Sequence, residues 1–390
     1  MVATREHEGM SALLALIASG RAVTRTELAA VCGLSRSTVT QRVNRLLDTG
    51  LVVEHGNGTS EGGRPPTVLA LAPGGGVLLA ADLGATHARL AVADLGGDIL
   101  AETEEDLSID DGPGVVLGLV RDGWHRLLTG LRVGTGDVRG VGIGVPGPVE
   151  FSTGTVVRPP IMAGWDGFRV PAFFTDYRDA PILVDNDVNL MALGEHREGR
   201  AAEDNLVYIK IGTGIGCGTV TAGTLYRGSD GAAGDIGHIR LPGHEETVCH
   251  CGNTGCVEAV ASGAALVRTL RASGLDVHTA RDVARLAAEG NTAARRALRV
   301  AAQQIGEVLA AVVSFHNPGG ILIGGAFTAL GDEVLAEIKA VVYRRVLPLA
   351  TRSLHIETGP LGDRAAIVGA IALAQEHALA PSALARLFDN

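Results

Sequence analysis

Lysine is almost absent from this 390-residue sequence. Lys210 and Lys339 stand alone beside 31 arginines, a bias read as genomic composition from which no function is drawn. Cysteine is scarce too. There are five, and three of them fall between Cys249 and Cys256, too close together and odd in number for a secreted disulfide framework. No apolar run reads as long enough to cross a bilayer. Residues 1–8, polar and partly acidic, lack the basic-then-apolar layout of a signal peptide. The expected compartment is therefore the cytoplasm, with no membrane partner. Nor is there an excess of positive charge: the net charge is −10, and residues 1–70 hold seven arginines against six acids, so the remainder is acidic. That distribution argues against global attraction to nucleic acid and leaves local attraction by clustered arginines in the head.

Hydrophobic residues supply 46% of the chain, ample for packed cores, and the length predicts two or three domains. Residues 6–52 read as three short helices. Met10, Leu13, Leu14 and Ile17 recur at helical spacing. Thr24-Arg25-Thr26-Glu27 has capping-box spacing for a second helix that ends near Cys32, before Gly33. Ser35 can cap a third, which runs to about Thr49 and is ended by Gly50. Two strand-like stretches, 51–54 and 67–71, flank a loop rich in Gly, Asn, Ser and Pro, the pattern of a wing. Pro73-Gly74-Gly75-Gly76 then marks a domain boundary. Beyond it, strands at 77–82, 89–94, 140–145, 182–184, 206–211, 321–323 and 354–358 alternate with helices near 114–128, 293–315, 332–346 and 364–377. This is an α/β architecture with Gly-rich turns at strand ends.

The third helix places Val39, Val43, Leu46 and Leu47 on one face and Ser37, Gln41, Asn44 and Arg45 on the other, with Thr38 beside them. Such polar groups hydrogen-bond base edges in a major groove. Arg36 and Arg42 flank that face and suit phosphates. Arg64, in the stiff Gly63-Arg64-Pro65-Pro66 segment of the wing, suits a minor groove. A polar helix face alone also fits a small dimerisation domain; the joint pattern of helices, turn and arginine-bearing wing is what favours operator DNA. A head with so little net charge releases few counterions. Tight binding is expected to need two copies on a two-fold-related site, a homodimer, with a tetramer left open.

His238, Cys249, Cys251 and Cys256 offer one imidazole and three thiols, enough to close a tetrahedral zinc shell, and His250 is an alternative fourth ligand. Gly252 and Gly255 permit the turns of the C-x-C-x4-C loop. A closed shell has no open position for an activated water, so the Zn2+ is expected to be structural.

Further motifs follow in order. They are Asp82-Leu83-Gly84-Ala85-Thr86, Gly142-Ile143-Gly144-Val145-Pro146-Gly147-Pro148, Asp185-Asn186-Asp187-Val188-Asn189, Gly212-Thr213-Gly214-Ile215-Gly216-Cys217-Gly218, and Gly231-Ala232-Ala233-Gly234-Asp235-Ile236-Gly237-His238, before the cysteine loop. With the winged head, this order resembles the ROK family (repressors, open reading frames and kinases) over essentially the whole chain. The resemblance implies a winged helix-turn-helix at 1–72 and, at 77–390, a two-lobed actin/hexokinase-like (ribonuclease H-like) ATPase-fold domain. Its small lobe would span about 77–187 plus the C-terminal helix, its large lobe about 188–363. It implies a sugar or sugar-phosphate effector held by Asn186, Asp187, Asp235, His238 and Glu258, with Asp187 in the place of the family's catalytic base, the acceptor of the attacking hydroxyl's proton. It favours His238 over His250, one ring nitrogen on the metal and the other on sugar. ATP/Mg2+ would meet Asp82, Gly84, Thr86, Gly212, Thr213, Gly214, Gly216, Gly324 and Gly325, where glycine lets backbone N–H groups approach phosphate and Asp82 can help hold Mg2+ through water.

The sequence also departs from the family's kinases. Ala85 replaces the second Gly of D-x-G-G-T, and His87 stands where Asn or Lys is common. Asp235 replaces the Glu of E-x-G-H, and Ile161 replaces the Asn of P-N-L-x-G-W. These changes count against phosphoryl transfer more than against sugar binding. The expectation is a sugar-responsive DNA-binding transcription regulator of carbohydrate-metabolism genes, with repression the usual mode. An ATP-dependent sugar kinase carrying a DNA-binding head is the alternative, and a constitutive DNA binder with a vestigial sensor is a third reading.

Overall fold

Three helices open the chain: α1 (Val2–Ala18), α2 (Arg25–Cys32) and α3 (Arg36–Asp48). The structure is a computed structural model that describes residues 2–57, 66–177, 179–199, 203–325 and 332–388. The Arg64 expectation lies outside the described residues. The α2 start is a capping box: Thr24 Oγ1 accepts from the Glu27 N–H at 3.2 Å, and the Glu27 carboxylate accepts from the N–H groups of Thr24 and Val23 at 2.9 and 3.0 Å. Ser35 caps α3, accepting from the Thr38 N–H at 3.1 Å. The apolar stripes meet as their spacing predicts, with Met10, Leu13, Leu14, Val39, Val43 and Leu46 all fully buried. Strands β1 (Val52–Asn57) and β2 (Thr67–Leu71) pair antiparallel behind them.

The body continues with β3 (Val77–Leu83), β4 (His87–Asp94), β5 (Ile99–Asp106), α4 (Pro113–Leu131), β6 (Val138–Val145) and the hairpin β7 (Val149–Glu150) and β8 (Thr155–Val156). Next come β9 (Ile182–Asn186), α5 (Asp187–Gly194), β10 (Leu206–Ile211), β11 (Ile215–Thr221) and β12 (Thr224–Leu225). They are followed by α6 (Val257–Ala261), α7 (Gly263–Ala272), α8 (Ala280–Ala288) and α9 (Thr292–His316). The chain ends through β13 (Gly320–Gly324), α10 (Asp332–Arg345), α11 (Pro348–Thr351), β14 (His355–Thr358), α12 (Ala365–Ala378) and α13 (Pro381–Phe388). These elements form two compact units: residues 1–143, 168–184 and 370–390, and residues 144–167 and 185–369.

Each unit has a five-stranded sheet, ordered β5-β4-β3-β6-β9 in the first and β12-β11-β10-β13-β14 in the second. Counted in chain order, the strands run third, second, first, fourth, fifth in both. In each the first three strands form an antiparallel meander. In the second, β13 and β14 then add in parallel, each reached through helices, as a parallel neighbour requires. This duplicated order is the α/β fold the resemblance implies, and it leaves no repeat visible in the sequence.

Of the strands absent from the sequence reading, β5 and β11 are the long ones. β5 is an edge strand whose exposed positions include Glu102, Glu104 and Asp106, the charged edge that discourages pairing with another chain. β11 occupies most of what reads as a phosphate loop. A Cβ at Gly216 would lie 2.7 Å from the Val188 side chain, and one at Gly218 2.5 Å from the Val188 carbonyl oxygen. Those glycines therefore let α5 lie on the strand, and Gly216, expected at nucleotide, packs closely against Val188.

In the second unit α9 buries Leu298, Ile305, Leu309 and Val313 against Ile209, Ile321 and Ile323. Against the expectation of no such run, this helix is long and apolar enough by length and composition to cross a membrane; half of its most apolar window is buried inside the protein. In the first unit α12 lies so close to β6 that a Cβ at Gly142 would stand 2.1 Å from the Ala370 carbonyl oxygen. α13 packs on α1, and Ser11 Oγ donates to the Leu379 carbonyl at 2.6 Å. The C-terminal helix thus joins the head in one compact unit.

Candidate functional site

On α3, Arg36, Ser37, Gln41 and Asn44 are exposed, while Thr38, Arg42 and Arg45 are half-buried. The Ser35 hydroxyl lies 2.9 Å from that of Ser37 and 2.8 Å from that of Thr38, so the cap and the first polar residues share one network. Arg42 turns back onto α1: a Cβ at Gly9 would meet its guanidinium within 2.0–2.7 Å. The expected phosphate contact is thus packed on the helix pair. Sequence reasoning missed Arg25, which donates from α2 to Asn44 Oδ1 at 3.5 Å and to Glu54 at 3.0 Å. It orients one of the exposed α3 amides and ties it to β1.

The metal-ligating expectation converges on one point. The ligand atoms of His238, Cys249, Cys251 and Cys256 all lie within 4.8 Å of one another, and His250 is not part of this cluster. Zn–S bonds of about 2.3 Å in a tetrahedron put the ligand atoms about 3.8 Å apart. Here Cys251 Sγ is 3.7 Å from Cys256 Sγ, and Cys249 Sγ is 3.6 Å from His238 Nδ1. The donor set and its spacing fit a tetrahedral thiolate-binding ion. The loop is held by the Gly252 N–H on the Cys249 carbonyl at 3.0 Å, with left-handed backbone at Gly252 and Gly255. Asn253 Nδ2 donates to Cys251 Sγ at 3.5 Å. Burial pushes the Cys256 thiol up to about 12, helped by its two thiol neighbours, and raises that of Cys249. For Cys251 burial acts the same way, but hydrogen bonds from the Asn253 backbone and the neighbouring side chains outweigh it and lower the thiol.

Of the expected sugar residues, Asn186 and Asp187 stand at the start of α5, Asp235 and His238 in the segment before the metal loop, and Glu258 on α6 after it. Asn186 caps α5, with Oδ1 accepting from the Val188 N–H at 3.0 Å and Nδ2 donating to the Gly147 carbonyl at 3.1 Å, so its amide is partly committed to the framework. Asp187 opens the helix, where the dipole favours an anion. Its buried carboxylate accepts from Lys210 Nζ at 2.5 Å. Asp185 accepts from Asn189 Nδ2 at 2.8 Å and from Arg227 Nε at 2.7 Å, and the Arg227 guanidinium stacks 3.7 Å from the Phe151 ring centroid. His238 turns Nδ1 to the cysteines and Nε2 toward Asp235 Oδ1 at 3.8 Å; the Asp235 side chain is 62% exposed. Glu258 Oε2 accepts from the Ile215 N–H at 3.0 Å, and a Cβ at Gly214 would lie 2.4 Å from it. Lys210, Asp185 and Arg227 were not singled out for the site by sequence reasoning.

The nucleotide expectations divide between the units. Asp82 is buried in β3, and the Gly84 N–H donates to the His87 carbonyl at 2.8 Å in the turn to β4. A Cβ at Gly84 would meet the His87 ring at 2.4 Å, so that imidazole covers the turn; Thr86 is exposed. In the second unit the carbonyls of Gly212 and Thr213 accept from the Gly263 and Ala264 N–H groups at the start of α7. Gly324 lies against the Tyr208 hydroxyl, where no Cβ would fit, and Gly325 takes a left-handed backbone over the Ile211 carbonyl. Gly214→Ala is expected to push the Glu258 carboxylate from its Ile215 N–H without unfolding the unit and, if Glu258 holds sugar as the resemblance implies, to lower sugar affinity. Calorimetric titration together with a melting curve checks both halves of that statement.

The ROK family profile matches residues 78–377, and the MarR family profile residues 10–60. A xylose repressor of Caldicellulosiruptor bescii is 28% identical over 375 residues, covering 93% of this chain and 94% of the relative. A glucokinase of Halalkalibacterium halodurans is 30% identical over 304 residues, covering 74% of this chain and 92% of the relative. A solved ROK family transcriptional regulator, described as a homolog of the E. coli MLC protein, overlays with a TM-score of 0.84 over 99% of this chain and 100% of that one; at 24% identity this is a likeness of fold. With the family matched across both sheets and the metal loop, and a MarR-type winged helix before it, the chain belongs to the ROK family.

Proposed function

We propose that this protein is a sugar-responsive DNA-binding transcription regulator, a repressor by preference, with an aldose or its phosphate as effector. The observation that carries the reading is the union in one chain of a capped, polar-faced α3 with a ROK domain that holds Asp187, Glu258 and the metal-loop His238 among its residues. The naming of a full-length relative as a xylose repressor supports it. In this reading α3 enters the major groove of an operator, with Gln41 and Asn44 on base edges and Ser37, Thr38, Arg36 and Arg45 beside them. Two copies bind a two-fold-related site. Zn2+, held by His238, Cys249, Cys251 and Cys256, would brace the loop that presents His238 to the sugar. Effector binding alters DNA affinity only insofar as it prefers one of the two states of the protein.

The test is a melting-temperature screen of sugars and sugar phosphates, followed by operator binding with and without the hit. A ligand of the folded protein raises the melting temperature by mass action. Stabilisation by no carbohydrate, or operator affinity indifferent to the stabilising one, sinks the proposal. Asn44→Ala is expected to weaken operator binding by about 1–3 kcal/mol and to relax selectivity at one base pair. An equal loss on all duplexes would instead mark Asn44 as a backbone contact.

The second reading, an ATP-dependent sugar kinase with a DNA-binding head, is favoured by Asp187 at the start of α5 and by the glucokinase relative. The His87 ring over Gly84 opposes it, since it fills space that a phosphate would need. Sugar-dependent ADP formation that disappears in Asp187→Asn establishes that reading.

A further inference from the structure

Lys210 is the residue the proposed function leaves unused. It lies on β10, one residue from the strand's end before the Gly212 turn, and its ammonium reaches the carboxylate of Asp187. The Asp187 side chain is 5% exposed and that of Lys210 31%, so the carboxylate is enclosed and the ammonium faces outward beside it. The chain fills 31 of its 33 basic positions with arginine. Lysine at this position brings a compact ammonium with three rotatable donors, where arginine would bring a planar guanidinium.

A proton taken up by Asp187 would cancel the charge that its ion pair with Lys210 uses, whereas a hydrogen bond accepted on the other carboxylate oxygen keeps that pair intact. The pair still offers an acceptor and a donor side by side. Neighbouring hydroxyls of an aldose match that arrangement, one donating to Asp187 and the next accepting from Lys210. The geometry points to Lys210 as a sugar-recognition residue that makes Asp187 a hydrogen-bond acceptor rather than a base, so that the pocket binds aldose hydroxyls without deprotonating them. This inference rests on the sugar-binding reading of Asp187 given above.

The near-absence of lysine supplies the experiment. Labelling the full-length, zinc-saturated protein with lysine carrying 13C at Cε and 15N at Nζ gives two side-chain signals, Lys210 and Lys339, assigned with Lys339→Arg, and leaves all the ammonium donors in place. Asp187→Asn is expected to move the Lys210 resonance and leave that of Lys339 in place. Titration of the wild type with D-xylose or D-glucose is expected to move the Lys210 resonance to saturation. Lys210→Gln is expected to weaken the same sugar at least tenfold by calorimetry, and MgATP with either sugar should give no ADP above the Asp187→Asn background. A Lys210 resonance indifferent to Asp187→Asn overturns the pair itself. A resonance that responds to Asp187→Asn but to neither sugar overturns the recognition role. A sugar that raises the melting temperature without moving the resonance removes Lys210 from the site and leaves the sugar-binding reading standing. ADP formation by the wild type that Asp187→Asn abolishes overturns the claim that Asp187 is not a base.

Discussion

Cys256→Ala is expected to strip the metal from the protein and, with it, the sugar response, while DNA binding by the head persists. Cys256 is buried and is the N-cap residue of α6, the helix that carries Glu258. Around it, the Leu241 N–H donates to the Gly255 carbonyl at 2.8 Å and the Val257 N–H to the Ile239 carbonyl at 2.9 Å, so the loop, the segment after His238 and α6 share one framework. Removing one of four ligands from a closed shell removes most of the binding energy, which for structural zinc in peptides is on the order of 10 kcal/mol. Within a unit that has its own hydrophobic core, only part of that is expected to appear as lost global stability. Zinc content after dialysis should fall from about one ion per chain to near zero, the melting temperature should drop by several degrees, and sugar should no longer change operator affinity. A variant that keeps its metal, or that loses operator binding and sugar binding together, contradicts this assignment. Because thiols must shed protons to ligate, metal affinity in the wild type should fall as pH falls.

The sequence was most readable where the physics is local. Thr24 with Glu27, and Ser35 with Thr38, are cap pairs three residues apart, so both helix starts follow from spacing alone. Three of the four cluster residues fall within eight positions, and only His238 needed the family resemblance. β5 was hidden because its exposed acids look like a charged loop, and β11 because its glycines read as a turn rather than as a strand. Val188 lies so close to Gly216 and Gly218 that a Cβ at either would crowd it, which no local pattern announces. The same limit applies to the missed site residues. Arg25 meets Asn44 across 19 positions, Lys210 meets Asp187 across 23 and Arg227 meets Asp185 across 42. Those pairings are properties of the folded chain.

Arg227→Met is expected to be among the most damaging single substitutions in the second unit, at about 3–5 kcal/mol. The Asp185 side chain is 3% exposed, and its two oxygens take hydrogen bonds from the Asn186 N–H, from Asn189 Nδ2 and from Arg227 Nε. Methionine fills much of the arginine's volume but leaves a buried carboxylate without its counter-charge, and the loss of that compensation, more than the loss of attraction, sets the cost. Asp185→Asn combined with Arg227→Met removes both charges and should recover a large part of the loss, which a purely steric role for Arg227 would not allow. Arg227→Lys retains the charge but not the planar stack on Phe151, and should fall between the two. Urea unfolding of the zinc-saturated variants reads these differences. A single variant within about 1 kcal/mol of wild type would mean that the pair is a surface ion pair in solution. The effect should also reach the effector site, because Arg227 and Asp235 share the segment 226–238 while Asp185 directly precedes Asn186 and Asp187. If the ion pair fastens that segment to the start of α5, sugar affinity should fall even at temperatures where the variant is fully folded.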